Sequence, residues 1–148
     1  MRLLVVQGPN LNMLGHRDPS VYGTMTLEAI HERLRDRARH LGVELAFFQS
    51  NSEGALIDFL QRDAPQAAGV IINPGALTHY GLSLREALVD TGLPVVEVHL
   101  SNIHAREAWR QRSVVAPIAV AQVSGMGWRG YLAALDFLVD RNKEDAAP

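Results

Sequence analysis

Leu3–Tyr22 reads LLVVQGPNLNMLGHRDPSVY. Its first four residues, Leu3–Val6, form an uninterrupted apolar run, the mark of a parallel strand covered on both faces. The continuation, Gly8–Tyr22, holds Gly8, Pro9, Gly15 and Pro19, so it is neither helix nor strand. It is long for a connection in a compact domain, and such loops tend to be lids or binding loops. Arg17, Asp18 and Tyr22 sit close together in it. A phenol beside a guanidinium is a candidate base, because the cation favours the phenolate.

Beyond this loop the chain alternates. Thr26 is placed to cap a helix whose inner face is Leu27, Ile30, Leu34, Ala38 and Leu41 and which stops at Gly42. Its other face is charged and reads as a solvated surface. Val43–Phe48 is the second strand. Ser50 or Ser52 then caps a helix through Arg62, with Glu53 spaced for a capping box from Ser50. Val70–Ile72 is the third strand, ending at Asn73-Pro74-Gly75. Ser83-Leu84-Arg85-Glu86 predicts a second capping box, on a helix that ends at Gly92. Pro94–Val98 is the fourth strand, followed by His99-Leu100-Ser101-Asn102. A helix is expected around Ala105–Gln111, anchored by Trp109. Ile118–Val123 is the fifth strand, and the last helix runs from about Trp128 to Asp140, leaving Arg141–Pro148 as a frayed polar tail.

Strands alternating with helices, without repeat or linker, predict a single α/β domain over residues 1–148, with a parallel sheet and helices on both faces. For five strands the common doubly wound order is 2-1-3-4-5, the flavodoxin-like arrangement. In that order ligands bind at the carboxyl ends of the strands beside the switch point, between strands one and three. The polar segments follow strands one, three and four, which are neighbours there. Asn10, Arg17 and Tyr22 should therefore converge with Asn73 and His79, and with Glu97, His99 and Ser101.

Composition removes several chemistries. The chain has 148 residues, a formal net charge of -2, 47% hydrophobic residues and no Cys. That charge suggests neither nucleic acid nor a strongly anionic surface as partner. Thirteen Arg stand against one Lys, Lys143 in the polar tail. A catalytic Schiff base needs a desolvated lysine, and a P-loop needs its G-x-x-x-x-G-K-[ST]. Neither can be built. Thiol nucleophiles, disulfides and cysteine metal sites are excluded too. No signal peptide or stretch of roughly 20 apolar residues is present, so the expectation is a soluble, cytoplasmic protein with no membrane partner.

Among single residues His99 is the most informative. It closes an apolar strand two residues after Glu97, so the two side chains share a side. A carboxylate beside an imidazole fixes its tautomer and raises its pKa, which suits a general acid. His99 and His104 lack the spacing of a helical ligand pair and have no evident third ligand, so no metal is expected. His79 has a bland alternative as a helix cap, and Arg110 either reaches the site or lies on the surface. Backbone N–H groups at Leu100 and Ser101, near a helix start, can hold a carboxylate. His16, His31 and His40 receive no role. Gly125-Met-Gly127-Trp-Arg-Gly130 fits G-x-G-x-x-G, yet no later strand exists to supply the ribose-binding acid. Close helix–sheet packing explains those glycines better. A phenolate base, an imidazole acid and an anion clamp together suit proton abstraction beside a carbonyl with loss of water.

GPNLNMLGHRDPSVYG (Gly8–Gly23), NPGALTH (Asn73–His79), EVHLSNIHARE (Glu97–Glu107) and SGMGWRGY (Ser124–Tyr131) resemble the type II 3-dehydroquinate dehydratases, in order and over nearly the whole chain. The resemblance implies a flavodoxin-like subunit, assembled as a dodecamer of trimers. It implies dehydration of 3-dehydroquinate to 3-dehydroshikimate, in the shikimate pathway, by anti elimination through an enolate, without metal or cofactor. Carried over, Tyr22 is the base, Arg17 holds it as phenolate, and Asn10 positions a water on the enolate oxygen. His99, oriented by Glu97, protonates the departing hydroxyl. Asn73, His79, Arg110 and the Leu100–Ser101 backbone hold the substrate. Glu86 matches an acidic position that reaches a neighbouring subunit's site. Asp18 departs from a common Glu, Leu77 from a frequent Tyr, and Tyr80-Gly81 from small hydroxyl residues. Two other readings are a flavodoxin-like nucleotide- or flavin-binding module, resting on Gly125–Gly130, and a non-catalytic assembly protein, which would predict loss of Tyr22 or His99.

Overall fold

A computed structural model describes residues 1–148. Five parallel strands, β1 (Arg2–Gln7), β2 (Glu44–Gln49), β3 (Gly69–Asn73), β4 (Val95–His99) and β5 (Ala121–Ser124), form one sheet in the order β2-β1-β3-β4-β5. The expected doubly wound order is therefore present. β3 and β4 are buried at every position, and β1 at all but Arg2, while β2 and β5 at the edges are mostly half-buried. That gradient is why the central strands read as plain apolar runs.

Helices cover both faces. On one, α2 (Leu27–Leu41) and α5 (Arg129–Ala146) set Ile30, Leu34, Leu135 and Leu138 against Leu3, Val5, Ile71 and Val96. On the other, α3 (Glu53–Asp63) and α4 (Leu82–Asp90) set Leu56, Phe59, Leu60, Leu84 and Leu88 against Leu4, Val6, Val70 and Ile72. A short helix, α1 (Pro19–Tyr22), lies in the loop after β1; the Asp18 side chain caps it, accepting from Ser20 N at 3.0 Å. No helix is long and apolar enough to cross a membrane.

Thr26 caps α2 and Gly42 ends it in the left-handed region, as its sequence predicts. The two capping boxes do not form. Ser52 caps α3 by accepting from Ala55 N, and the Ser50 hydroxyl accepts from Ser52 N. Glu53 turns away from Ser50 and accepts from Leu84 N at 3.1 Å. α4 begins at Leu82 without a side-chain cap of its own, so a carboxylate from α3 satisfies one of its free donors. The helix expected around Ala105–Gln111 is replaced by two 3-10 turns, Ile103–Ala105 and Ala108–Arg110. Trp109 anchors no core: it is 55% exposed, edge-on to His79. Ala116–Ile118 is also a 3-10 turn, so β5 starts at Ala121 rather than Ile118. α5 continues to Ala146, past Asp140.

His31, on the inner face of α2, is buried and packs its ring 4.2 Å from that of Phe47. Burial pushes its pKa down to about 4 from 6.5. Between those values the unfolded chain binds a proton that the folded chain refuses, so stability falls as pH drops through the window. We predict that His31→Leu removes up to about 3 kcal/mol of pH dependence between 6.5 and 4. Denaturant midpoints measured across that range check it; an unchanged slope would contradict it.

Candidate active site

The carboxyl ends of β1, β3 and β4 open on one cavity of about 170 Å³. Backbone contact between the loops after β1 and β3 forms its floor: Gly8 N donates to Asn73 O at 2.8 Å. A Cβ on Gly8 would lie 2.3 Å from Pro74 O, and one on Gly75, at φ +60, would lie 2.9 Å from Pro9 O. Only glycine permits that approach at either position.

Nine of the residues singled out from sequence line this cavity: Asn10, Arg17, Tyr22, Asn73, His79, His99, Leu100, Ser101 and Arg110. Glu97 and Glu86 do not. Glu97 is wholly buried beneath His99, and Glu86 is exposed on α4, outside the cavity.

Tyr22 closes α1 and faces two cations. The Arg17 guanidinium stacks on its ring, 3.8 Å from the centroid. Arg106 reaches the oxygen instead, donating from Nη1 to Tyr22 Oη at 3.2 Å and to Ser101 Oγ at 3.3 Å. Sequence alone gives Arg106 no role. Among thirteen Arg nothing marks it except its place inside the EVHLSNIHARE stretch.

His99 is 6% exposed and ends β4. Its Nε2 is buried without a hydrogen-bond partner and lies 3.6 Å from Glu97 Oε1. Glu97 accepts from Thr78 Oγ1, from Ser113 Oγ at 2.6 Å and from Gln122 Nε2. Burial works to raise its pKa, but the neighbouring His99 imidazole and the two hydroxyls outweigh burial and hold the carboxyl below its ordinary value. An anion fixed under the ring is an electrostatic support for imidazolium. Thr78, Ser113 and Gln122 come from three different segments, so only the fold reveals them as a set.

His79 donates from Nδ1 to Arg112 O at 2.7 Å, which leaves Nε2 as its second functional nitrogen. The carbonyls of Leu100 and Ser101 accept from Gly127 N and Gly125 N, at 3.0 and 3.1 Å. Their own N–H groups have no partner within the chain, and both residues border the cavity. Of the G-x-G-x-x-G glycines, Gly130 serves helix–sheet packing, since a Cβ there would lie 3.1 Å from a Val123 methyl, whereas Gly125 and Gly127 supply positive φ, +85 and +57.

Chemically the cavity sets a phenol flanked by cations and an imidazole over a buried carboxylate around a polar space edged by free donors. That equipment suits removal of a proton at one carbon and protonation of a leaving oxygen at the next.

Comparison with known proteins agrees. The family model described as class II dehydroquinase matches residues 1–139. The 3-dehydroquinate dehydratase of Herpetosiphon aurantiacus is 57% identical over 141 residues, covering 95% of this chain and 98% of that relative. That of Roseiflexus castenholzii is 58% identical over 139 residues, covering 94% and 88%. The crystal structure of a type II dehydroquinase from Butyrivibrio crossotus superposes with a TM-score of 0.91 at 39% identity, covering 93% of this chain and 97% of that one.

Proposed function

Because the chain belongs to the class II dehydroquinase family, we propose that its 3-dehydroquinate dehydratase activity runs through Tyr22 as base and His99 as acid. The activity itself, dehydration of 3-dehydroquinate to 3-dehydroshikimate in the shikimate pathway, follows from family membership. The observation that carries the division of labour is that both rings border one cavity, each with its own electrostatic support.

The Tyr22 phenolate takes the proton beside the ketone, and the electron pair moves to the ketone oxygen as an enolate. A water held by Asn10 stabilises that oxygen. The enolate collapses, the carbon–oxygen bond to the β-hydroxyl breaks, and His99 supplies the proton that lets it leave as water. In this reading the elimination is anti, which has base and acid act from opposite faces of the ring. Asn73, His79, Arg110 and the free N–H groups of Leu100 and Ser101 hold the hydroxyls and the carboxylate. The full chain acts as one catalytic unit without metal or cofactor.

Assembly as a dodecamer of trimers belongs to the same reading. Exposed apolar Leu82 and Val89 flank Glu86 on the outer side of α4, a surface suited to a subunit contact that would carry Glu86 to a neighbour's site.

Ultraviolet absorbance of the conjugated product, followed from 3-dehydroquinate with chelator present, tests the reaction and the support of the base together. Product should form despite chelator. Arg106→Gln should lower kcat by about tenfold, the scale of one charge-assisted hydrogen bond, and Arg17→Gln by less, because Arg17 meets the ring face rather than the oxygen. Unchanged turnover in both variants would overturn the reading that these cations support Tyr22 as base.

A further inference from the structure

Asn73 ends β3 at the cavity with both ends of its carboxamide engaged. Oδ1 accepts from Gly75 N at 3.1 Å, and Nδ2 donates to Tyr131 Oη at 2.9 Å. The Tyr131 hydroxyl donates onward to Gln7 Oε1 at 2.7 Å. Gln7 Nε2 lies 3.4 Å from His31 Nε2. The row runs from β3 through α5 and β1 to α2, and all four side chains are buried, Tyr131 and Gln7 completely. Tyr131 comes from the SGMGWRGY stretch, and neither it, Gln7 nor His31 takes part in the reaction described above.

The direction of every bond in this row is set from one end. A main-chain N–H only donates, so the Asn73 atom facing Gly75 must be the oxygen. Nδ2 then faces Tyr131, whose oxygen accepts and whose proton goes to Gln7 Oε1. Gln7 presents its NH₂ to His31, so the Nε2 there must accept and the imidazole must be neutral, as its burial requires. Reversing the Asn73 amide would set two donors together at Gly75, and reversing Gln7 would leave the Tyr131 proton without an acceptor where water cannot supply one.

We propose that Tyr131, backed by Gln7, is a positioning residue for Asn73. It holds the carboxamide so that the second Nδ2 hydrogen is offered to the substrate, and the cavity selects a hydrogen-bond acceptor at that point. This rests on the reading of Asn73 as a substrate-holding residue. Tyr131 acts on binding rather than on proton transfer, so its loss belongs in KM and not in kcat. A role confined to core stability would lower the melting temperature and leave KM alone.

The test is a double-mutant cycle in the steady-state dehydration of 3-dehydroquinate, using Tyr131→Phe, Asn73→Ala and the pair. Tyr131→Phe should raise KM about tenfold, the scale of one mispositioned hydrogen bond, with kcat within about threefold. In the Asn73→Ala background it should raise KM no further. Gln7→Met, which keeps volume and removes the acceptor behind Tyr131, should act in the same sense and likewise lose its effect without Asn73; it carries the test if Tyr131→Phe does not fold. Equal factors in both backgrounds, or an unchanged KM in Tyr131→Phe, would overturn the proposal while leaving Asn73 as a substrate contact. An unchanged KM in Asn73→Ala would instead refute that contact, and the positioning role with it.

Discussion

Tyr22→Phe is expected to lower kcat by ~100- to 10,000-fold, the range that a general base typically supplies, while affinity for 3-dehydroquinate changes less than about threefold. The separation follows from how the ring is held. Arg17 stacks on the face of the ring at 3.8 Å, and a phenylalanine ring keeps that face. Arg106 loses the phenol oxygen but retains Ser101 Oγ at 3.3 Å, so the guanidinium is not set adrift. The residues that hold the substrate come from the end of β3 and the loops after β3 and β4, and there the only bond lost with the phenol oxygen is that of Arg106. What disappears is one oxygen and the proton it carries. Calorimetric binding to the slow variant, set beside its turnover, measures both quantities. A kcat within about tenfold of the parent would remove Tyr22 from the role of base.

His99→Ala is expected to cost as much in kcat, for a different reason. The enolate can still form, because Tyr22 and its cations are intact, but the hydroxyl must depart without a proton donor. The buried Glu97 carboxylate keeps its bonds from Thr78, Ser113 and Gln122, so the site should survive loss of the ring. Single-turnover absorbance and thermal melting together distinguish a chemical defect from collapse. Retention of more than about a tenth of kcat would count against His99 as the acid.

The sheet was legible because its central strands are buried on both faces and so form short apolar runs bounded by turn residues. Leu3–Val6 and Val70–Ile72 are such runs, and their alternation with amphipathic helices carries the topology. The cavity was legible because a parallel sheet sends all its carboxyl ends to one edge, so polar clusters after strands one, three and four had to meet. The failures share a physical cause. Periodicity and capping motifs describe contacts along the chain, whereas Glu53 caps α4 from across the fold. Ala105–Gln111 has helical spacing, but the path just beyond it is held by Val114 N donating to Thr78 O at 2.7 Å, and the segment settles into short turns. Arg106 and the three residues that hold Glu97 were invisible for the same reason: their significance lies in what they touch.

Solvent hydrogen exchange at the acidic carbon of 3-dehydroquinate, followed by NMR in deuterium oxide, separates proton abstraction from loss of water. A phenol of the first loop and an imidazole of the fourth strand that divide the two steps predict continued exchange with little product in His99→Ala, and neither exchange nor product in Tyr22→Phe. Rapid exchange in Tyr22→Phe, or its complete loss in a folded His99→Ala, would contradict that division.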